Sequence, residues 1–260
     1  MLPVGRLMLG KLRPNRVKHK LERGEVATVL MGEMTPDLVE SFGPLGFDGI
    51  WIEGEHGPTD FADIRDLTRA ADLWGMTSVA RVNLNEPGVI YRTLDQGAQA
   101  ICVPHVNTAE EAQAVVDASK FGPIGNRGSY TSRQGIGVDD YFATANDETM
   151  AIILIEDIIA VNNLEEILKV DHIDVFFVAP SDLAQSMGFV GQPFHPEVQE
   201  TVDRAIAQII AAGRVAGALA SDSSVASYVE KGARFISNSY APWVTSGAEG
   251  YLKSLNSAIG

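Results

Sequence analysis

Carboxylates follow two of the apolar runs in this 260-residue sequence. Glu156 ends the run that begins at Ala151, and Asp182 comes shortly after the run that ends at Val178. A carboxylate at the end of an apolar segment is costly to desolvate unless it is paired or bound to a cation. Two such groups facing one pocket would suit a hard divalent cation such as Mg²⁺, Mn²⁺ or Co²⁺. Helix capping or pairing with an arginine explains either residue equally well from the pattern alone.

A second group of ionisable side chains lies earlier in the chain. Glu53-Gly54-Glu55-His56 follows one apolar run, and Arg81 lies near the end of the next. A histidine beside carboxylates suits acid or base catalysis near neutral pH, although a lone histidine is more often structural. A guanidinium at this place suits an anionic or carbonyl oxygen, or it neutralises nearby acidic residues.

None of the lysines lies at the carboxyl end of a predicted strand. They are Lys11, Lys18, Lys20, Lys120, Lys169, Lys231 and Lys253. An enzyme that forms a Schiff base with a carbonyl substrate needs a lysine in its site. We therefore expect no Schiff-base chemistry, and a bound metal would have to serve as the electron sink.

Eight apolar and β-branched runs must position these residues. They are Val26–Met31, Gly49–Ile52, Ser78–Val82, Ala100–Val103, Ala151–Ile155, Ile173–Val178, Val215–Ala220 and Phe235–Ser237. Most are continuous, which is typical of parallel strands buried on both faces. Stretches with helical spacing separate them, at Asp60–Leu73, Pro87–Gln96, Ala109–Phe121, Leu164–Lys169, His195–Ala212 and Ser223–Lys231.

Alternating strands and helices predict either a closed barrel or a doubly wound open sheet. Met31-Gly32-Glu33-Met34, after the first strand, does not match the glycine fingerprint of dinucleotide-binding open sheets. We therefore predict an α/β fold, a (β/α)₈ TIM barrel that forms a single domain over residues 1–260. An N-terminal extension over residues 1–25 should form a solvated helix capping one end. The glycine-rich segment 122–149 predicts a long loop. Barrel enzymes carry their chemistry at the carboxyl ends of the strands, where the ionisable residues lie.

Composition excludes several classes of partner. The net charge of −14 disfavours nucleic acid and anionic membranes, so we expect neither as a partner. No apolar stretch approaches the roughly 18 residues of a membrane span. Cys102 is the only cysteine and lies in an apolar run, so we expect a buried, inert thiol and no internal disulfide. A cytoplasmic location follows by default.

Taken together, the strand ends resemble the HpcH/HpaI family of aldolases. The resemblance is carried by Glu53-Gly54-Glu55-His56, Arg81, Glu156, the segment Val178–Gly188 and the segment Gly191–Val198. These motifs occur in the family's order and cover nearly the whole chain, from the first strand to the eighth. The resemblance implies a metal-dependent aldolase. It would reversibly cleave a 4-hydroxy-2-oxo acid into an aldehyde and pyruvate or a related 2-oxo acid such as hydroxypyruvate.

The resemblance also implies roles for the residues around the donor. Glu156 and Asp182 would hold the divalent metal, and backbone amides around Ser181 and Asp182 would bind the substrate carboxylate. Arg81 would contact the keto oxygen and stabilise the enolate. His56, assisted by Glu53 or Glu55, would move the proton of the aldol hydroxyl.

Two further roles concern the acceptor and the assembly. Leu219 would line the acceptor side, and Asp95 would reach the site of a neighbouring subunit. The resemblance therefore implies a homo-oligomer, either a hexamer or a trimer.

The sequence departs from the family at Glu53, where close relatives usually carry Asp, and at Leu154, where the better-known aldolases carry Gln. The donor 2-oxo acid and the acceptor aldehyde therefore stay open. One alternative is a lyase of the wider citrate lyase-like superfamily that acts on a CoA thioester. It would need a basic patch for the nucleotide phosphates, which the acidic chain argues against. A second alternative is a barrel that binds a sugar acid without aldol activity.

Overall fold

The computed structural model describes residues 10–259 and shows a closed barrel of eight parallel strands in chain order. The strands are β1 Ala27–Met31, β2 Gly49–Glu53, β3 Thr77–Arg81, β4 Ala100–Val103, β5 Met150–Ile155, β6 Val175–Val178, β7 Ala216–Leu219 and β8 Phe235–Ser239. Pairing of Ala27 with Phe235 and of Met31 with Ser239 closes the barrel. The predicted TIM barrel is confirmed, and each predicted strand overlaps an observed one.

Helices surround the barrel. They are α1 Arg16–Glu22, α2 Pro36–Phe42, α3 Phe61–Leu73, α4 Pro87–Asp95, α5 Ala109–Ser119, α6 Tyr141–Glu148, α7 Ile158–Asn162, α8 Leu164–Ile167, α9 Pro180–Ser186, α10 Pro196–Ala211, α11 Val225–Lys231 and α12 Ala241–Ile259. The six predicted helical stretches all correspond to observed helices. The segment 122–149, predicted as a loop, ends in α6, so that prediction was wrong over its last third.

The continuous apolar strands are explained by burial on two faces. In β5, Ile152 and Leu154 belong to a cluster with Trp51 and Phe177 that fills the barrel. Ile153 instead packs in the layer between the barrel and the outer helices. Cys102 lies in the inner cluster, and burial raises the pKa of its thiol well above the usual value, as expected for an inert thiol.

The same two-residue period decides which side chains point into the open end of the barrel at the carboxyl ends of the strands, which we call the mouth. Successive strand residues point to opposite faces, so the residue two positions after an inward one is also inward. Glu53 follows inward Trp51, Arg81 follows inward Val79, and Glu156 follows inward Leu154. These three charged groups therefore converge at the carboxyl ends of the strands.

Helix α1 closes the opposite end. Val17 and Leu21 join the inner cluster. Asn15 is buried and caps the helix: its Oδ1 accepts from the amide of Lys18, and its Nδ2 donates to the carbonyl of Glu148, at 3.0 Å each. The helix caps the barrel as predicted, but one face is buried rather than solvated. Residues 1–9 of the predicted extension lie outside the described residues.

Helix α12 is notable for its exposure to solvent. It is 19 residues long, and none of its residues is buried in the described part of the chain. Tyr251, Leu252 and Leu255 are among the large apolar side chains that it exposes. Within residues 10–259, no helix combines the length and the hydropathy that crossing a membrane requires.

Candidate active site

Arg81 occupies the centre of a network of charges at the mouth. Its Nε donates to Glu53 at 2.9 Å, its Nη2 lies 2.7 Å from the same carboxylate, and its Nη1 lies 2.8 Å from Glu55. Burial opposes ionisation of Glu53, but the hydrogen bond from Arg81 outweighs it and lowers the pKa of that carboxyl. Burial likewise opposes the charge on Arg81, whose pKa is nevertheless raised by Glu53. The pair is therefore ionised and held in one orientation.

The carboxylate of Glu53 accepts hydrogen bonds from several donors. Besides Arg81, its carboxylate accepts from Trp51 Nε1 at 3.1 Å and from the backbone amides of Glu55 at 2.8 Å and His56 at 3.0 Å. Glu53 thus shapes the turn that carries His56. It accepts a hydrogen bond from the backbone of that histidine, and among the described residues the two side chains form neither a hydrogen bond nor an ion pair.

The imidazole of His56 is loosely held. Its side chain is 69% exposed, and Nε2 lies 3.8 Å from Glu55 Oε2, too far for a hydrogen bond. Of the two carboxylates predicted to assist His56, Glu55 is therefore the one near its ring.

Glu156 is the most deeply buried carboxylate of the mouth. The residue is 1% exposed, and Oε1 accepts the backbone N–H of His105 at 2.9 Å. Its Oε2 is buried and has no hydrogen-bond partner within residues 10–259. Burial raises the pKa of this carboxyl to about 7, and the charges of Asp182 and Glu55 act in the same direction.

Asp182 lies in the first turn of α9 and is half-buried. The N-cap residue of this helix is Ala179, and in the described part of the chain no side chain forms a hydrogen bond that caps it. The predicted alternative, in which Asp182 serves only as a cap, is not what the geometry shows, because the cap position lies three residues earlier. Asp182 instead acts electrostatically on Glu156.

These two carboxylates fit a divalent cation. A buried carboxylate oxygen without a partner is costly unless a cation or water completes its environment. Within residues 10–259 there is no cluster of three or more His, Cys, Asp or Glu side chains arranged for a metal. Glu156 and Asp182 interact electrostatically, and a Mg²⁺ site that has one or two carboxylates keeps water and substrate oxygens as its other ligands.

Comparison with known proteins identifies the family. A model of the HpcH/HpaI aldolase/citrate lyase family matches residues 29–250. The chain belongs to this family.

Individual relatives agree with this assignment. The chain is 38% identical over 228 residues to the hydroxypyruvate/pyruvate aldolase of Roseobacter denitrificans, covering 85% of this chain and 89% of that protein. It is 38% identical over 228 residues to the 4-hydroxy-2-oxo-heptane-1,7-dioate aldolase of Salmonella dublin, covering 85% and 87%. The crystal structure of an HpcH/HpaI family protein from Burkholderia cenocepacia superposes with a TM-score of 0.87 at 29% identity, covering 93% of this chain and 99% of that one.

The resemblance drawn from the strand ends is thus confirmed, and the structure shows where the other predicted residues of this family member lie. Leu219 ends β7 and is exposed at the mouth, and Ser181 is exposed in the first turn of α9. Asp95 ends α4, where its carboxylate pairs with Arg127 at 2.8 Å. The structure therefore brings together the strand-end residues but not Asp95, whose role toward a neighbouring subunit stays a prediction.

His105 and Asp157 are site residues that the sequence analysis did not single out. His105 has φ 52°, a left-handed conformation that is uncommon for a residue with a side chain. Its Nδ1 lies 2.9 Å from Asp157 Oδ2, and its Nε2 lies 3.8 Å from Glu55 Oε1. Burial opposes a charge on His105, but Asp157 outweighs it and raises the imidazole pKa. The strand-end pair Pro104-His105 was the signal available in the sequence.

Proposed function

We propose that the protein is a carbon–carbon lyase that reversibly cleaves a 4-hydroxy-2-oxo acid. The products would be an aldehyde and pyruvate, or a related 2-oxo acid such as hydroxypyruvate. The observation that supports this most is the presence of two groups at the mouth. One is the guanidinium of Arg81, which Glu53 and Glu55 hold in place, and the other is a buried carboxylate oxygen of Glu156 that has no hydrogen-bond partner within residues 10–259. The names of the relatives, hydroxypyruvate/pyruvate aldolase and 4-hydroxy-2-oxo-heptane-1,7-dioate aldolase, support the same chemistry.

In this proposal, Glu156 and Asp182 hold a divalent cation, either Mg²⁺, Mn²⁺ or Co²⁺. When bound, the cation supplies positive charge next to the carboxylate and keto oxygens of the 2-oxo acid. Ser181 and Asp182 lie in the first turn of α9, where backbone N–H groups favour an anion such as the substrate carboxylate.

Arg81 stabilises the enolate that forms when the carbon–carbon bond breaks. Its contacts with Glu53 and Glu55 engage one N–H on each of its three nitrogens. A guanidinium has five N–H donors, so two remain for a substrate oxygen. Because the carboxylates fix the plane of the guanidinium, no reorganisation is needed as charge develops on the keto oxygen.

His56 moves the proton between the aldol hydroxyl and solvent. Its exposed ring lies at the rim, near Glu55, and is free to reach a hydroxyl group of the substrate. Catalysis by a positioned histidine needs hydrogen-bond reach to that proton, and contacts in a ligand-free site are often longer than in the substrate complex.

The test is exchange of the C3 protons of pyruvate, and separately of hydroxypyruvate, with D₂O, followed by NMR. The protein is assayed after EDTA treatment and again after addition of Mn²⁺ or Mg²⁺. We expect exchange that requires the metal. Absence of exchange with both acids under every metal would contradict the proposal and favour a barrel that only binds a sugar acid.

Variants link the exchange to the site. Glu156→Gln keeps the shape of the side chain but removes its charge, so we expect it to abolish metal-dependent exchange. Glu165→Gln is the matched control, because Glu165 lies in α8 and its side chain is 81% exposed. Full exchange by the Glu156 variant would remove this residue from the metal site.

We further propose that the protein is a homo-oligomer, a hexamer or a trimer. The support is α12, whose Tyr251 and Leu252 are 70% and 53% exposed, although a soluble helix normally buries its apolar stripe. Sedimentation velocity should show an assembly that Leu252→Glu weakens. Ser254→Glu, on the same exposed helix, is the control. A monomeric wild-type protein would contradict the proposal.

A further inference from the structure

A pocket opens at the mouth on the side of β8, β1 and β2. Its volume is about 340 Å³, and it is lined by Met31, Met34, Trp51, Glu53 and Leu219, together with Glu33. This volume falls within the usual range for a small-molecule site, roughly 300–1,000 Å³. Glu53 also holds Arg81, so the pocket adjoins the guanidinium.

The pocket faces the carboxylates across the mouth. Glu156 and Asp182 follow β5 and β6, and the barrel closes in the order β1 to β8. In a ring of eight strands, β1 lies opposite β5. A 2-oxo acid held between these carboxylates and Arg81, as the proposed function requires, therefore extends its C3 carbon and everything beyond it toward this pocket.

The lining is mainly apolar, and its polar side chains are Glu33, Glu53, His56, Thr59 and Ser239. Met31 and Met34 supply flexible apolar side chains, and no lysine or arginine of residues 10–259 lines the pocket. Glu53 is neutralised by Arg81. Glu33 is exposed, and no cation lies within ion-pair distance of its carboxylate in the described part of the chain.

The segment that carries Glu33 is held in place. Tyr240, which follows β8, donates its hydroxyl to the carbonyl of Glu33 at 2.6 Å, and its backbone N–H donates to the carbonyl of Met31 at 3.2 Å. Its ring packs on Gly32, whose φ is 143° and where a Cβ would lie 2.1 Å from the ring. These contacts therefore fix the backbone of Glu33 in place as part of the pocket lining.

We propose that this pocket binds the tail of the acceptor aldehyde and that Glu33 makes it selective for uncharged tails. A substrate with a second carboxylate at its far end meets Glu33 and finds no cation to pair with. Two like charges about 6–8 Å apart disfavour binding roughly five- to tenfold when the effective dielectric constant of the site is about 40, between the values for bulk water and for the protein surface. Glu33 is thus a residue that determines specificity, and it acts on the substrate tail rather than on the reacting atoms.

The experiment compares two substrates of equal length. One is 4-hydroxy-2-oxoheptanedioate, and the other carries a carboxamide in place of the distal carboxylate. The ratio of kcat/KM for cleavage, amide over dioate, is measured at pH 8, where an ordinary imidazole is neutral. We expect a ratio of about five to ten in the wild-type protein, falling with added salt because screening weakens the repulsion.

Substitutions then assign the ratio to one residue. Glu33→Gln should bring the ratio close to one, and Glu33→Lys should bring it below one. In both variants we expect kcat/KM to rise for the dioate and to change little for the amide. Glu40→Gln, an exposed position on α2, is the control and should leave the ratio unchanged.

The outcomes separate this inference from the proposed function. A wild-type ratio of one or below, or a ratio unchanged in Glu33→Gln, would overturn the selectivity while cleavage and proton exchange persist. Failure to cleave either substrate, together with absence of proton exchange, would overturn the proposed function and this inference with it.

Discussion

Replacing Arg81 tests the site most directly, because one side chain serves both the proposed chemistry and the fold. Arg81→Met removes the charge and keeps much of the apolar stem. Arg81→Lys keeps the charge but cannot contact Glu53 and Glu55 simultaneously as the guanidinium does, at 2.7 and 2.8 Å. Comparing the two separates the charge from the geometry.

The expected loss of activity follows from the role of a fixed donor at a developing oxyanion. Removing one such donor typically costs about 10²–10³ in kcat, or roughly 3–4 kcal/mol. We expect Arg81→Met to reach this range in pyruvate proton exchange. Arg81→Lys should lose at least about tenfold, since an ammonium group cannot engage both carboxylates and still present two donors to the substrate.

The same substitution should change stability in a pH-dependent way. Arg81 lowers the pKa of Glu53 in the folded protein, so this pair adds stability that is present above the unfolded pKa and is lost as pH falls. Without Arg81, only the hydrogen bonds from Trp51 and from the amides of Glu55 and His56 oppose the burial that disfavours a charge on Glu53. Arg81→Met should therefore be destabilised by about 2 kcal/mol at pH 7, less than for a fully buried pair because both side chains keep some exposure. The difference from wild type should shrink toward pH 4.

The measurements are urea unfolding at pH 7 and pH 4 and the proton-exchange assay. Arg65→Lys is the control, because Arg65 binds Gln96 on the outer surface. If the rate of proton exchange by Arg81→Lys is within threefold of the wild-type rate, the simultaneous contacts of the guanidinium with both carboxylates do not matter for catalysis, and the argument is refuted. A loss of stability that does not depend on pH would refute the electrostatic account of Glu53.

Three further predictions concern other groups. His56→Ala should depress aldol cleavage more than proton exchange, and equal losses would indicate that His56 is structural. Glycine adopts the φ of 52° at position 105 without strain, so His105→Gly should keep the backbone N–H that donates to Glu156. We therefore expect calorimetry to give a Mn²⁺ affinity near that of the wild-type protein. His105→Val, which cannot easily adopt that conformation, should weaken the affinity at least about tenfold. Burial lowers the pKa of Lys120 to about 8. Between that pH and the unfolded pKa of about 10.5, the unfolded chain holds the extra proton, so stability should rise by about 3 kcal/mol as pH increases. Lys120→Met should lack this rise in urea titrations, and a rise of equal size in both proteins would exclude Lys120 as its source.

The fold could be predicted from the sequence because the patterns that indicate its strands are local. Each strand is a short apolar run buried on two faces, as Ile152 and Ile153 show for β5. Period-two alternation also determines that Glu53, Arg81 and Glu156 share the inner face of the mouth. The family resemblance rests on those same strand ends, and the match over residues 29–250 confirms it.

Several short helices were missed for a physical reason. Helices α7 and α9, of five and seven residues, were not among the predicted helical stretches. Their formation depends on packing against the barrel, which a single segment does not encode.

The partners of each charged group were decided by the tertiary structure. Arg81 binds carboxylates about 28 residues away in sequence, and Asn15 caps its helix with help from Glu148, 133 residues away. The sequence analysis left open whether Arg81 neutralises its neighbours or binds substrate. The geometry shows that it neutralises Glu53 and Glu55, and substrate binding by Arg81 stays a prediction. Such pairings depend on the closure of the barrel.

By itself, the sequence determined the barrel, the family and the identity of the groups at the mouth, because apolar periodicity and strand-end residues are local properties of the chain. Only the tertiary structure decided that Glu156 has an oxygen without a partner among the described residues, that the backbone N–H of His105 donates to Glu156, and that Glu33 lines a mainly apolar pocket. These facts arise from burial and from contacts between distant segments, and no window of sequence contains them.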